Sequence, residues 1–123
     1  MTERGTVFIV DDDEAAAASV EALMASIGLT SQTYGSAEAF LEDFDGTRRG
    51  CLVLDVRLPG MSGFELQRVL ADRNLRVPIV FVSGHTDRER GEEALCSGAL
   101  ACLSKPFNGN QLCDIVLEAL AAE

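Results

Sequence analysis

Val7-Phe8-Ile9-Val10 runs straight into Asp11-Asp12-Asp13, an apolar run closed by carboxylates. The same figure returns in Cys51-Leu52-Val53-Leu54 closed by Asp55, and in Ile79-Val80-Phe81-Val82 closed by Ser83. Short continuous apolar runs mark strands covered on both faces, because such strands have no solvent side on which to alternate polar residues. Leu100-Ala101-Cys102-Leu103 is a weaker example, and Leu29 to Tyr34, polar and β-branched with alternation, suits an edge strand beside Val7–Val10. Helical spacing fills the intervals. Val20, Leu23, Met24 and Ile27 fall at i, i+3, i+4 and i+7, and Gly28 supplies a stop. Ala37, Phe40, Leu41 and Phe44 repeat the spacing after Ser36, as do Leu112, Ile115, Val116 and Ala119 near the end. Strands alternating with helices predict an α/β domain built on a parallel sheet.

Three helix starts carry capping signatures, Ser62-x-x-Glu65, Thr86-x-x-Glu89 and Asn108-x-x-Gln111, in which the first side chain accepts from a free backbone N–H and the last reaches back. The segment after Thr86, Asp87-Arg88-Glu89-Arg90-Gly91-Glu92-Glu93, has almost no apolar face. Its glycine loses up to about 1 kcal/mol of helix propensity relative to alanine. It is expected to be the least firmly held helix.

With 123 residues the chain matches one domain, long enough to bury roughly two-thirds of the surface its unfolded form exposes. The formal charge of -10 is the reverse of a nucleic-acid footprint, which needs clustered Lys and Arg. No apolar run approaches the roughly 20 residues that span a bilayer, and Met1 to Val10 has no signal-peptide pattern, so a cytoplasmic location is expected. Cys51, Cys96, Cys102 and Cys113 form no C-x-x-C pair and have no histidine at zinc-ligand spacing; reduced thiols are expected.

In an open parallel sheet, ligands bind beyond the carboxyl ends of the strands, where strand order reverses. Those ends bring Asp11-Asp12, Asp55, Ser83 and, after the last strand, Lys105-Pro106. Converging carboxylates repel one another unless a cation joins them. Hard oxygen donors without His or Cys favour Mg²⁺, held by few carboxylates and several waters, with positions left for phosphate. Such a pocket suits phosphoryl transfer, and Asp55 can be the nucleophile. Lys105 is the only lysine beside nine arginines, and a compact ammonium fits one phosphoryl oxygen or carboxylate at close quarters.

Val10-Asp11-Asp12-Asp13-Glu14, Leu54-Asp55-Val56-Arg57-Leu58-Pro59-Gly60-Met61-Ser62-Gly63, Val82-Ser83-Gly84-His85 and Lys105-Pro106-Phe107 together resemble the receiver domains of two-component response regulators. Asp-Val-Arg-Leu-Pro and Ser-Gly-His are similar to receivers of the nitrogen-fixation regulator type, usually joined to a helix-turn-helix output domain. The resemblance covers residues 1–123 as one receiver domain, with no output domain in this chain. It implies a flavodoxin-like, doubly wound, five-stranded parallel sheet in the order 2-1-3-4-5 with five helices. Asp55 would accept phosphate from a sensor histidine kinase. Asp12 and Asp55 would ligate Mg²⁺ with the backbone carbonyl of Arg57, Asp11 acting mainly through water. Ser83 and Lys105 would hold phosphoryl oxygens, and Lys105-Pro106 would be cis. Phosphorylation would bias the surface formed by the helix after Thr86, the fifth strand and the last helix, controlling an output such as transcription and homodimer formation. Arg57 and His85 would tune water access. The usual aromatic residue three before the lysine is Cys102 here, which puts a ring-swing relay in doubt.

The rival reading from another class is an aspartate-nucleophile phosphatase. It would need Asp-x-Asp-x-Thr on the first strand, and Val10-Asp11-Asp12-Asp13-Glu14-Ala15 has no threonine there. A nucleotide-binding domain is disfavoured because no glycine-rich loop follows that strand.

Overall fold

The computed structural model describes residues 5–84 and 98–122. Its elements run β1 (Thr6–Val10), α1 (Glu14–Ser26), β2 (Thr30–Tyr34), α2 (Ala37–Asp43), β3 (Gly50–Asp55), α3 (Gly63–Asp72), β4 (Ile79–Ser83), β5 (Ala101–Ser104) and α4 (Gly109–Ala122). The strands form one five-stranded sheet in the order β2-β1-β3-β4-β5, every pair parallel. Both the edge placement of β2 and the 2-1-3-4-5 order agree with expectation. The helix expected after Thr86, with His85 and Cys96, lies outside the described residues.

Alternation along the buried strands divides the core in two. Val7, Ile9, Cys51, Val53, Val80, Val82 and Leu103 point to one face, where Ala17, Val20 and Met24 of α1 and Leu112, Val116 and Ala119 of α4 cover them. Phe8, Val10, Leu52, Leu54, Ile79 and Phe81 point to the other, under Ala37 and Phe40 of α2 and Leu66 and Leu70 of α3. Successive strand residues face opposite ways, so a strand with helices on both sides must be apolar at every position. All six residues of β3, the central strand, are buried.

Side chains set the helix starts. Asp13 accepts from the N–H groups of Ala15 and Ala16, Ser36 from Ala39, and Asn108 from Asn110 and Gln111. Ser62 and Glu65 complete the capping box expected of them. Each cap satisfies donors that the first turn leaves open, worth typically about 1 kcal/mol. Gly28 follows α1 at φ +79°, a left-handed conformation that terminates the helix without a Cβ penalty.

Tyr34 and α2 are joined by a polar clasp absent from the sequence expectations. The Tyr34 hydroxyl donates to Asp43 Oδ2, and Arg48 Nη2 donates to the same oxygen at 2.7 Å. The Arg48 guanidinium also stands 5.0 Å from the Phe8 ring centroid, a cation–π contact. Burial is the main cause that lifts the Tyr34 phenol above its ordinary pKa, while the Tyr34 and Arg48 hydrogen bonds hold the Asp43 carboxyl below its own.

Candidate functional site

The strand ends meet. Asp11 lies one residue beyond β1, and Asp55 and Ser83 are the last residues of β3 and β4. All three are buried polar residues. Asp12 follows Asp11 and is exposed. Ligating atoms of Asp11, Asp12 and Asp55 all lie within 4.8 Å of one another. From the far side Lys105 brings its Nζ to 3.2 Å from Asp55 Oδ2 and 3.5 Å from Asp11 Oδ2. Five of the six residues singled out as site candidates therefore stand at the carboxyl end of the sheet, and the sixth, Arg57, is the second residue of the loop that leaves Asp55.

The backbone around these side chains is tightly determined. Asp11 Oδ1 accepts the Asp13 N–H at 2.9 Å, and Asp55 Oδ1 accepts the Arg57 N–H at 3.1 Å, so each carboxylate has one oxygen anchored and the other turned to Lys105. The Lys105 N–H bonds the Ser83 carbonyl at 2.8 Å, tying the lysine loop to the end of β4. The Lys105-Pro106 peptide is cis, as the resemblance implied. Behind Asp55, Gly63 has no room for a side chain, since a Cβ there would meet the Asp55 carbonyl oxygen at 2.4 Å. Its N–H bonds the Val56 carbonyl at 3.0 Å, which seats the start of α3 directly against the end of β3.

Electrostatics follow from this crowding. Burial raises the Asp55 pKa first; Lys105 works against that, the Asp11 carboxylate adds to it, and the net direction is upward. Burial alone would lower the Lys105 pKa, but the Asp55 and Asp11 carboxylates outweigh it and hold the ammonium above its ordinary value. One ammonium thus serves two buried carboxylates, with a third beside them. Three hard oxygen donors, with no nitrogen or sulfur ligand beside them among the described residues, fit Mg²⁺, whose preference is a small number of carboxylates plus water.

Cys102 pairs with Phe81 across β4 and β5 and is half-buried on the core face shared with α3, where Phe64 stands 5.1 Å from Phe81. The Cys102 side chain therefore lies on the same face as an existing aromatic pair. Cys51, Cys102 and Cys113 are free thiols. No helix among the described residues is long and apolar enough to cross a membrane.

Sequence reasoning missed Glu38. Its Oε2 accepts the Met61 N–H at 3.1 Å, linking α2 to the loop between β3 and α3. A long-range bond from an exposed carboxylate to a backbone amide leaves no periodic trace. The position of Glu38 in the first turn after Ser36 was the available signal.

Residues 7–117 match the model of the response regulator receiver domain. The chain is 41% identical over 118 residues to the response regulator protein TmoT of Ectopseudomonas mendocina, covering 96% of this chain and 54% of TmoT. It is 35% identical over 120 residues to the transcriptional regulatory protein FixJ of Bradyrhizobium diazoefficiens, covering 98% of this chain and 58% of FixJ. Among solved structures, FixJ-N superposes with a TM-score of 0.87 at 35% identity, covering 100% of this chain and 98% of that one. The response regulator StyR superposes at 0.86 and 40% identity, covering 95% and 59%. The chain spans about half the length of the curated relatives it matches. With the parallel sheet, its order and the matched segments in agreement, the chain belongs to the response regulator receiver domain family.

Proposed function

We propose that this receiver domain is a phosphorylation switch in which Asp55 takes a phosphoryl group from the phosphohistidine of a sensor histidine kinase. The observation that carries the reading is the convergence of Asp11, Asp12 and Asp55 within 4.8 Å, with the Lys105 ammonium 3.2 Å from the Asp55 carboxylate. An Asp55 oxygen attacks phosphorus in line, the phosphorus–nitrogen bond to the donor imidazole breaks, and that nitrogen keeps the bonding pair. Asp12 and Asp55, with the Arg57 carbonyl, would hold Mg²⁺, and Asp11 would act through water. When bound, the ion neutralises charge on the transferring oxygens. Lys105 already faces Asp55 and would pass from the carboxylate to a phosphoryl oxygen. The Ser83 hydroxyl, buried at the end of β4, would take another.

The readout would be the face formed by the segment after Thr86, β5 and α4. Two packings of such a surface, biased by the Ser83 contact, are the physical form of the switch. Curated relatives named as transcriptional regulators support transcription as the output, with homodimer formation on phosphorylation as one route to it. This domain itself would not contact DNA, because its net charge is -10. The test is incubation with Mg²⁺ and acetyl phosphate, read by intact mass, with Asp55→Asn as the control. One phosphoryl increment on the parent and none on the variant is expected. Equal modification of both would refute the site, and turnover of a phosphomonoester would refute the switch in favour of a phosphatase.

A further inference from the structure

The loop from Val56 to Ser62 connects the proposed nucleophile to α3, and its far end and its tip are held differently. At the far end Gly63 is packed on the Asp55 backbone and Ser62 caps α3. At the tip Gly60 adopts φ +73°, and the following N–H, of Met61, goes to Glu38 Oε2 at 3.1 Å. The fit is close: a Cβ on Gly60 would meet Glu38 Oε2 at 2.6 Å. Glu38 can hold the loop because α2 is itself fixed. Ser36 caps its first turn, Ala37 and Phe40 are fully buried, and Asp43 at its end is clasped by Tyr34 and Arg48.

Arg57 lies between the Asp55–Val56 backbone, on which Gly63 packs, and the Gly60–Met61 tip held by Glu38, and its N–H orients Asp55 by donating to Oδ1 at 3.1 Å. Whatever sets the loop therefore acts on both the Asp55 carboxylate and the Arg57 peptide bonded to it. We infer that Glu38 is a positioning residue for phosphorylation: through the Met61 amide it holds the loop in the conformation that aims Asp55 and the Arg57 carbonyl at the metal. The inference rests on the proposed Mg²⁺ site. It makes α2 a second element, besides the loop itself, on which metal affinity depends. Supports of this outer kind typically change metal affinity by about 10- to 100-fold when a ligand's direct partner is lost. Acting one step further out and from an exposed position, Glu38 is expected to matter by about 3- to 10-fold.

Glu38→Ala and Glu38→Gln separate positioning from charge, since the glutamine carbonyl can still accept the Met61 N–H while the charge is gone. Amide spectra of the whole chain are followed through a MgCl₂ titration, and amide hydrogen exchange is measured without metal. Glu38→Ala should weaken Mg²⁺ binding about 3- to 10-fold, and speed exchange at both Met61 and Arg57 while leaving Gly63 unchanged. Glu38→Gln should restore both to near the parent. Equal weakening by both variants would show a through-space charge effect and overturn the inference, as would faster exchange at Met61 alone. Failure of the underlying site reading has a separate signature, a parent chain whose Mg²⁺ response survives Asp55→Asn. The metal-free exchange data decide the positioning role even then.

Discussion

Replacing Asp55 with asparagine should stabilise the metal-free domain. The side chain is 10% exposed, with the Asp11 and Asp12 carboxylates within 4.8 Å and the Lys105 ammonium at 3.2 Å. At an effective dielectric constant of about 20, a carboxylate no more than 4.8 Å away repels by at least roughly 3.5 kcal/mol and the ammonium at 3.2 Å attracts by roughly 5 kcal/mol. Asp12 is exposed and adds about 1 kcal/mol at the dielectric constant of water. Lys105 is 35% exposed, so its attraction is discounted for solvent screening, and burial of the carboxylate then tips the sum against the charged form. Asparagine keeps an oxygen for the Arg57 N–H and carries no charge. The net gain should be about 1 kcal/mol at neutral pH, or roughly 3–5 °C in Tm for a chain of this length. The sign of the pH dependence is fixed by the raised Asp55 pKa. Below the unfolded-state value of 3.8 both states are protonated and the variant has no advantage. The advantage accrues as pH rises from there through the folded-state pKa. Mg²⁺ should reverse the order, adding about 1.4 kcal/mol to the parent at ten times its Kd and little to the variant. Thermal melts in EDTA and in MgCl₂, at neutral and acid pH, measure all of this. A variant less stable than the parent in EDTA at neutral pH, or an advantage that grows toward acid, would refute the electrostatic account.

Gly63→Ala should drive a Cβ into the Asp55 carbonyl and cost about 2 kcal/mol or more, seen as a lower urea midpoint at unchanged slope. Tyr34→Phe should lose about 1 kcal/mol by chemical denaturation, through the bonds to Asp43 and Arg48. It should also return the Asp43 carboxyl toward its ordinary pKa, which carbon-detected NMR titration would follow. Cys102→Tyr, on the face shared with Phe81, should change partner binding more than phosphorylation; equal loss of both would count against a separate readout path.

What could be read in advance depended on local pattern. Continuous apolar runs closed by Asp11, Asp55 and Ser83 disclosed both the strands and their functional ends, because a doubly covered strand has no other reason to turn polar. β5 runs Ala101–Ser104, one residue later than the apolar run Leu100–Leu103 indicates, since a polar residue such as Ser104 reads as a terminus. Sheet order came from the resemblance of the motifs, not from periodicity. Glu38, the Tyr34–Asp43–Arg48 clasp and the contact of Gly63 with Asp55 could not be read, because each depends on how α2, α3 and β3 settle against one another. The capping box at Ser62 was legible because its partners are three residues apart.

The most direct test of phosphoryl transfer to Asp55 is chemical mapping of the modified residue. An acyl phosphate on an aspartate side chain is reduced by borohydride to the corresponding alcohol, whereas a free carboxylate is not. After treatment with Mg²⁺ and acetyl phosphate, borohydride reduction and peptide mass mapping should find that conversion at position 55 and leave Asp11, Asp12 and Asp13 intact. Conversion at one of those three, or none at position 55 in protein that carries a phosphoryl group, would contradict the account.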